Sequence, residues 1–215
     1  MRRPFVVSVS GTSGGGKTTL LHRTGDLLRA TARLFFDDYI SVSNQPEDVQ
    51  GWLDAGADPN AFRTPGLAAE LRRLLEEESG APFILIEDPF GKARAEIAGL
   101  IDFSVFLRLP PEVALARRIL RTIVERQREP DAQLEHLAGD LITFLSGGRE
   151  AYEAANRAAA QTADLSLDGM RDADELAREL AAEILKRRGR GDENAHEELP
   201  ERATEQITDG TSQRK

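Results

Sequence analysis

The run Ser10-Gly11-Thr12-Ser13-Gly14-Gly15-Gly16-Lys17-Thr18-Thr19 contains the spacing G-x-x-x-x-G-K-T. It follows the short apolar run Phe5-Val6-Val7-Ser8-Val9 and leads into Leu20, Leu21, Leu27 and Leu28. A strand feeding a glycine loop that opens a helix turns successive backbone N–H groups toward one point, where they hold phosphate. In such a loop Lys17 reaches the β- and γ-phosphates and the Thr18 hydroxyl ligates Mg²⁺. Gly11, Thr12, Ser13, Gly14, Gly15, Gly16, Lys17, Thr18 and Thr19 are therefore the expected nucleotide-binding residues, with Lys17 also acting on the transferring phosphoryl group. A flexible glycine linker with a chance lysine needs neither the strand before it nor the helix after it, and both signals are present.

A second concentration of charge lies at 108–128. Arg108, Arg117, Arg118, Arg121, Arg126 and Arg128 stand against only Glu112 and Glu125. At about 100° per residue Arg117, Arg121 and Arg128 share one helical face, with Val113, Leu120, Ile123 and Val124 available for packing. A solvated helix face mixes its signs so that glutamates pair with arginines. The excess here suggests a lid, about 110–130, that closes on a triphosphate and stabilises charge in the transition state.

These groups need a scaffold, and the apolar pattern supplies one. After the first strand and its helix, Arg33-Leu34-Phe35-Phe36 reads as a second strand ending in Asp37-Asp38-Tyr39. Residues 41–65 carry Pro and Gly punctuation and read as loops with short helical pieces. The stretch 65–79 is an amphipathic helix, with Pro65 at its start and Gly80 just beyond its end. Phe83-Ile84-Leu85-Ile86 is continuously apolar, as in a strand buried on both faces, and stops at Glu87-Asp88-Pro89. A short helix over 93–100, a strand over 103–109 and a long arginine-rich helix over 110–128 follow. Residues 131–160 read as helical with an interruption near Gly147-Gly148, then come a strand over 163–167 and a helix over 172–188. Strands alternating with helices imply an α/β fold with a parallel five-stranded sheet and crossover helices on its faces. Ligands in such sheets bind beyond the carboxyl ends of the strands, where the glycine loop, Asp37-Asp38 and Glu87-Asp88 all fall.

At 215 residues, the chain suits one domain, expected over 1–188, and a polar C-terminal tail over 189–215 expected to be disordered. The formal charge of −9 and a pI near 5.0 argue against a nucleic-acid partner, which calls for a basic surface. The absence of cysteine excludes disulfides and thiolate metal sites and fits a cytoplasmic location. No stretch approaches membrane-spanning length, so no membrane partner is expected. Oligomeric state leaves no signature in the pattern.

Taken together, these residues resemble the uridine kinase and nicotinamide riboside kinase group of P-loop kinases. The resemblance rests on Gly11 to Thr19, on Phe36-Asp37-Asp38-Tyr39, on Ile86-Glu87, and on Ala116-Arg117-Arg118-Ile119-Leu120-Arg121 continuing to Glu125-Arg126-Gln127-Arg128. Leu141-Ile142-Thr143-Phe144 is also similar, and the whole spans roughly residues 5 to 170. It implies a nucleotide-kinase-like P-loop NTPase fold and transfer of the γ-phosphoryl group of ATP, with Mg²⁺, to a hydroxyl acceptor that is nucleoside- or riboside-like. The matching aspartate of the family takes the proton from that hydroxyl, which assigns the base to Asp37. The acidic position at the end of the third strand assigns Glu87 to Mg²⁺ beside Thr18, with Asp88 as the alternative ligand. The lid arginines carried over are Arg118, Arg121, Arg126 and Arg128. That set differs from the geometric face, and Arg121 belongs to both.

For the acceptor side the resemblance is looser. Asp58-Pro59-Asn60-Ala61-Phe62 is similar to a family segment whose aspartate holds ribose hydroxyls, out of register by a residue, and Asp54 is the alternative. An Asx-Pro turn explains Asp58 about as well. Arg149 and Tyr152 are further candidates for the acceptor side. Uridine kinases insert a base-reading hairpin before the third strand, whereas here Glu76-Glu77-Glu78-Ser79-Gly80-Ala81-Pro82 leads straight into it, which argues against uridine. Two other readings stay open: a kinase for another hydroxylated metabolite or antibiotic, and a nucleotide-binding regulatory ATPase or switch. A GTPase is disfavoured because no N-K-x-D guanine-reading motif occurs.

Overall fold

The protein is described by a computed structural model covering residues 3–29, 31–77, 81–125 and 130–197. Five strands, β1 (Phe5–Ser10), β2 (Thr31–Phe35), β3 (Phe83–Glu87), β4 (Phe103–Arg108) and β5 (Leu165–Asp168), form one sheet in the order β2-β3-β1-β4-β5. Every neighbouring pair is parallel, with Val9 beside Glu87 on one side and beside Val105 on the other. The expected α/β fold with a five-stranded parallel sheet is the one observed.

Helices α1 (Lys17–Leu28), α2 (Val49–Asp54), α3 (Pro65–Glu76), α4 (Ala95–Ala98), α5 (Pro111–Glu125), α6 (Pro130–Thr143), α7 (Arg149–Thr162) and α8 (Ala173–Glu197) complete the chain. Alternation along the strands divides the core between the two faces of the sheet. Val7, Val9, Phe83, Leu85, Phe103, Val105 and Leu107 meet Leu20 and Leu21 of α1 and Leu176, Leu180 and Ile184 of α8. Val6, Leu34, Ile84 and Ile86 meet Leu67, Ala68 and Leu71 of α3 and Ile97 of α4 on the other face. A third cluster, Trp52, Phe90 and Ala154 with Phe62 packed against it, joins α2 and α7 to the loop after β3.

Several boundaries moved. The second strand ends at Phe35, and Phe36–Asp38 forms a 3₁₀ turn. The helix expected over 93–100 is a 3₁₀ turn, Gly91–Ala93, followed by the short α4. The interruption near Gly147-Gly148 is present, with non-helical angles at Ser146 and Gly147. The last helix runs past Arg188 to Glu197, so the stretch expected to be disordered from 189 begins as helix, and 198–215 lie outside the described residues. No apolar periodicity in the sequence marks that extension.

Candidate active site

The glycine loop occupies the turn between β1 and α1, and its backbone requires glycine. Gly14 has φ of 80° and a Cβ there would stand 2.5 Å from the Ala114 carbonyl oxygen of α5. Gly11 has φ of 137° and a Cβ there would meet the Leu107 carbonyl oxygen of β4 at the same distance. The left-handed angles and the close approach both exclude a side chain. Gly16, also left-handed, caps α1, so the N-terminus of that helix opens onto the loop.

Lys17 is 8 % exposed, donates to the Thr12 carbonyl at 3.2 Å and lies 3.3 Å from Glu87 Oε1. The Thr18 hydroxyl donates to Glu87 Oε2 at 2.5 Å. The end of β3 therefore sits on the first turn of α1, and one carboxylate joins the lysine and the threonine. A hydroxyl and a carboxylate oxygen suit a hard cation such as Mg²⁺. Among the described residues there is no cluster of three or more His, Cys, Asp or Glu that could cage a metal. Glu87→Gln should raise the Mg²⁺ concentration for half-maximal activity by about 10–100-fold; a magnesium titration of the variant checks this.

Asp88 is not available as the alternative ligand. Its side chain is 0 % exposed and lies 2.7 Å from the guanidinium of Arg94, itself 1 % exposed. Asp88 Oδ1 accepts from the Phe90 and Gly91 N–H groups, and Arg94 also donates to Thr64 Oγ1 and the Phe62 carbonyl. Burial pushes the Asp88 carboxyl above the ordinary carboxylate range, against the opposing pull of Arg94 and the two N–H donors. The pair ties the loop after β3 to the segment carrying Phe62. Adjacent residues at a strand end thus divide their work, Glu87 facing the loop and Asp88 the core.

A cavity of about 850 Å³ opens at the carboxyl edge of the sheet. The residues from Gly11 to Thr19 form its floor, with Glu87 and Leu107 beside them. Asp37 lines one wall, exposed, with no hydrogen bond or ion pair to the described residues; Asp38 does not line it. Arg117 and Arg121 of α5 line it as well. The Arg117 guanidinium donates to the Gly169 carbonyl at 3.2 Å from both terminal nitrogens, bridging α5 to the loop after β5.

Arg118 stands one residue off that face and does not line the cavity. It donates to the Tyr152 hydroxyl at 2.8 Å and pairs with Asp140 at 3.2 Å. Of the described arginines, Arg117 and Arg121 of the geometric face line the cavity, Arg121 belonging to the carried-over set as well, and Arg118 of the carried-over set does not. Arg126 and Arg128 lie outside the described residues. We expect Arg121→Ala to lower kcat by about 10²–10³-fold without moving the thermal midpoint, and Arg118→Ala to cost less; steady-state kinetics beside melting curves separate the two.

On the acceptor side Tyr152 lines the cavity, while Arg149, Asp54 and Asp58 do not. Arg149 pairs with Glu153 on the surface and Asp54 accepts from Gln50. Asp58 caps the 3₁₀ turn Pro59–Ala61, its Oδ1 accepting from the Asn60 N–H and side-chain amide. Trp52 is buried one layer behind, its Nε1 donating to the Asp58 carbonyl and its ring edge-on to Phe62 at 5.3 Å.

Sequence reasoning missed two groups. Phe36, Ile40, Gln45, Phe62, Pro89, Ala155 and Asn156 complete the wall near Asp37, and Gly169, Arg171, Asp172, Ala173 and Leu176 form the far end. The second group follows β5, and the rule that ligands gather at strand carboxyl ends could have found it. Arg171 is held there by Glu179 and Glu175, the hydrogen bond to Glu179 first in pushing its pKa upward.

No family model matches the chain. A uridine kinase from Lactobacillus helveticus is 23 % identical over 163 residues, covering 65 % of this chain and 77 % of its own length. One from Deinococcus deserti is 28 % identical, with coverage of 62 % and 75 %. Uridine-cytidine kinase 2-B of Danio rerio is 24 % identical, with coverage of 71 % and 69 %. Among solved structures, a putative fructose transport system kinase from a Silicibacter species shares the fold, with a TM-score of 0.50 and 18 % identity over 78 % of this chain and 91 % of that one. Among the described residues no helix is long and apolar enough to cross a membrane. The chain is thus similar in sequence to uridine kinases, and an ATP-dependent small-molecule kinase fits these likenesses.

Proposed function

We propose that the protein transfers the γ-phosphoryl group of ATP to a hydroxyl of a nucleoside- or riboside-like compound, with Asp37 as the general base. The observation that carries this reading is the placement of Asp37. Its carboxylate, without a hydrogen bond or ion pair among the described residues, shares one cavity with Lys17, Thr18, Glu87, Arg117 and Arg121. Phosphoryl transfer asks the protein chiefly for alignment and charge neutralisation, and for a group that takes the proton of the attacking hydroxyl.

In this arrangement the loop N–H groups and Lys17 hold the phosphates, and Arg117 and Arg121 face the side on which negative charge spreads. Thr18 and Glu87 would hold Mg²⁺, which would supply positive charge against the phosphates when bound. Arg117, fixed on the Gly169 carbonyl, sets the distance between α5 and the far end of the cavity, where Ala173 and Leu176 offer apolar surface to a nucleotide base. Domain 1–188 is the catalytic unit on this reading and α5 the core of its lid. The test is ADP release with Mg²⁺ and ATP across a panel of nucleosides, ribosides and sugar-bearing antibiotics. Release that depends on an acceptor supports the proposal; release at the same rate without one favours a regulatory ATPase.

A further inference from the structure

The β2–β3 ladder ends at the pair Phe35–Glu87. Asp37 follows that pair by two residues on the β2 side, so the ladder itself does not fix its distance from Glu87. One buried side chain spans the next step. Asp88, which follows Glu87, accepts from the Arg94 guanidinium at 2.7 Å. Phe36, which follows Phe35, lies under the same guanidinium, its ring centroid 5.2 Å from the central carbon. A cation over an aromatic face is attracted by the ring quadrupole, more strongly where water is excluded, and both groups are buried. The Phe36 carbonyl in turn accepts from the Tyr39 and Ile40 N–H groups at 3.0 and 3.1 Å, so what anchors Phe36 anchors the turn that carries Asp37.

Stability alone does not account for a charge in this place. A buried ion pair exchanged as a whole for apolar residues of similar volume often costs nothing. What apolar side chains cannot reproduce is direction. From one planar group Arg94 reaches the Asp88 carboxylate, the Thr64 hydroxyl, the Phe62 carbonyl and the Phe36 ring, which fixes four points of three chain segments at once. Arg94 does not line the cavity, whereas Phe36, Asp37, Phe62 and Glu87 all do. Its influence on the cavity therefore passes through those residues.

Resting on the reading of Asp37 as the base, we propose that Arg94 is a positioning residue: tied to Asp88 and stacked on Phe36, it sets where Asp37 stands relative to Glu87. Phosphoryl transfer needs base, hydroxyl and phosphate in line, and a displacement of about 1 Å costs on the order of 10²-fold in rate. Lys17 and Thr18 are held by Thr12 and Glu87 instead, so nucleotide binding should be spared.

Trifluorophenylalanine in place of Phe36 keeps the shape of the ring and removes most of the negative charge of its face, so it separates cation binding from packing. In the full chain, with the acceptor that best stimulates ADP release, it should lower kcat by about 3–10-fold and leave KM for ATP within about twofold. Hydrogen exchange reads the same contact without turnover: the Tyr39 and Ile40 amides should exchange faster while those of β3 stay unchanged. Beside Asp37→Asn the replacement should change the residual rate by less than about twofold, because the positioned group is gone. Wild-type kcat or wild-type exchange with the fluorinated ring overturns the inference, as does an equal proportional loss in the Asp37→Asn background. Faster exchange in a protein whose ADP release never depends on an acceptor would contradict the kinase reading and leave this placement of Asp37 standing. Acceptor-dependent transfer indifferent to the fluorinated ring would do the reverse.

Discussion

Asp37→Asn is expected to lower kcat with a phosphorylatable acceptor by about 10²–10⁴-fold while the affinity for ATP stays within a factor of two or so. Asparagine keeps the size and polarity of the side chain and removes its capacity to take a proton. The 3₁₀ turn Phe36–Asp38 makes no demand on the carboxylate, which forms no hydrogen bond or ion pair to the described residues. Folding should therefore be untouched, and the loss should appear in kcat rather than in the melting curve. Asp38→Asn is the control: it lies outside the cavity and should leave kcat within about threefold. Equal losses in the two variants would mean that the turn, not the base, had been disturbed.

Arg94→Met should destabilise the protein by about 3–5 kcal/mol, because it leaves the buried Asp88 carboxylate without its counter-ion. For a chain of this size that corresponds to a fall of about 6–20 °C in Tm. The sign of the pH dependence follows from the direction of the Asp88 shift. Burial already raises its pKa, and removing Arg94 raises it further. The folded variant then holds a proton that the unfolded chain releases above about pH 4. Its stability deficit should accordingly be smallest in acid and widen as pH rises. Melting curves at two pH values test both the size and the sign. Because Arg94 also fixes the Phe62 carbonyl and Thr64, the acceptor wall should loosen in the same variant, raising KM for the acceptor before that for ATP.

The glycine loop and the sheet were legible because both leave local signals. Left-handed glycines, a following helix and continuous apolar runs need nothing distant to define them. Glu87 was legible as the acidic end of such a run. Its neighbour Asp88 was not, since the partner that buries it, Arg94, sits in a turn whose role appears only when the loop folds back under Phe62. Simple helical geometry placed Arg117 and Arg121 on the cavity and Arg118 behind them, where Asp140 and Tyr152 hold it. Asp58 gave the same signal for a ligand as for a turn cap, and in the structure its carboxylate caps a turn.

The central claim, that this cavity passes a phosphoryl group to an acceptor hydroxyl rather than to water, is tested most directly by the fate of the γ-phosphoryl group. ATP labelled at the γ position would be turned over with Mg²⁺ and the acceptor of the panel that best stimulates ADP release, and the products separated. Label in a phosphorylated acceptor, with little in inorganic phosphate and almost none transferred by Asp37→Asn, is the predicted result. Label appearing in inorganic phosphate at the same rate with or without acceptor would contradict it.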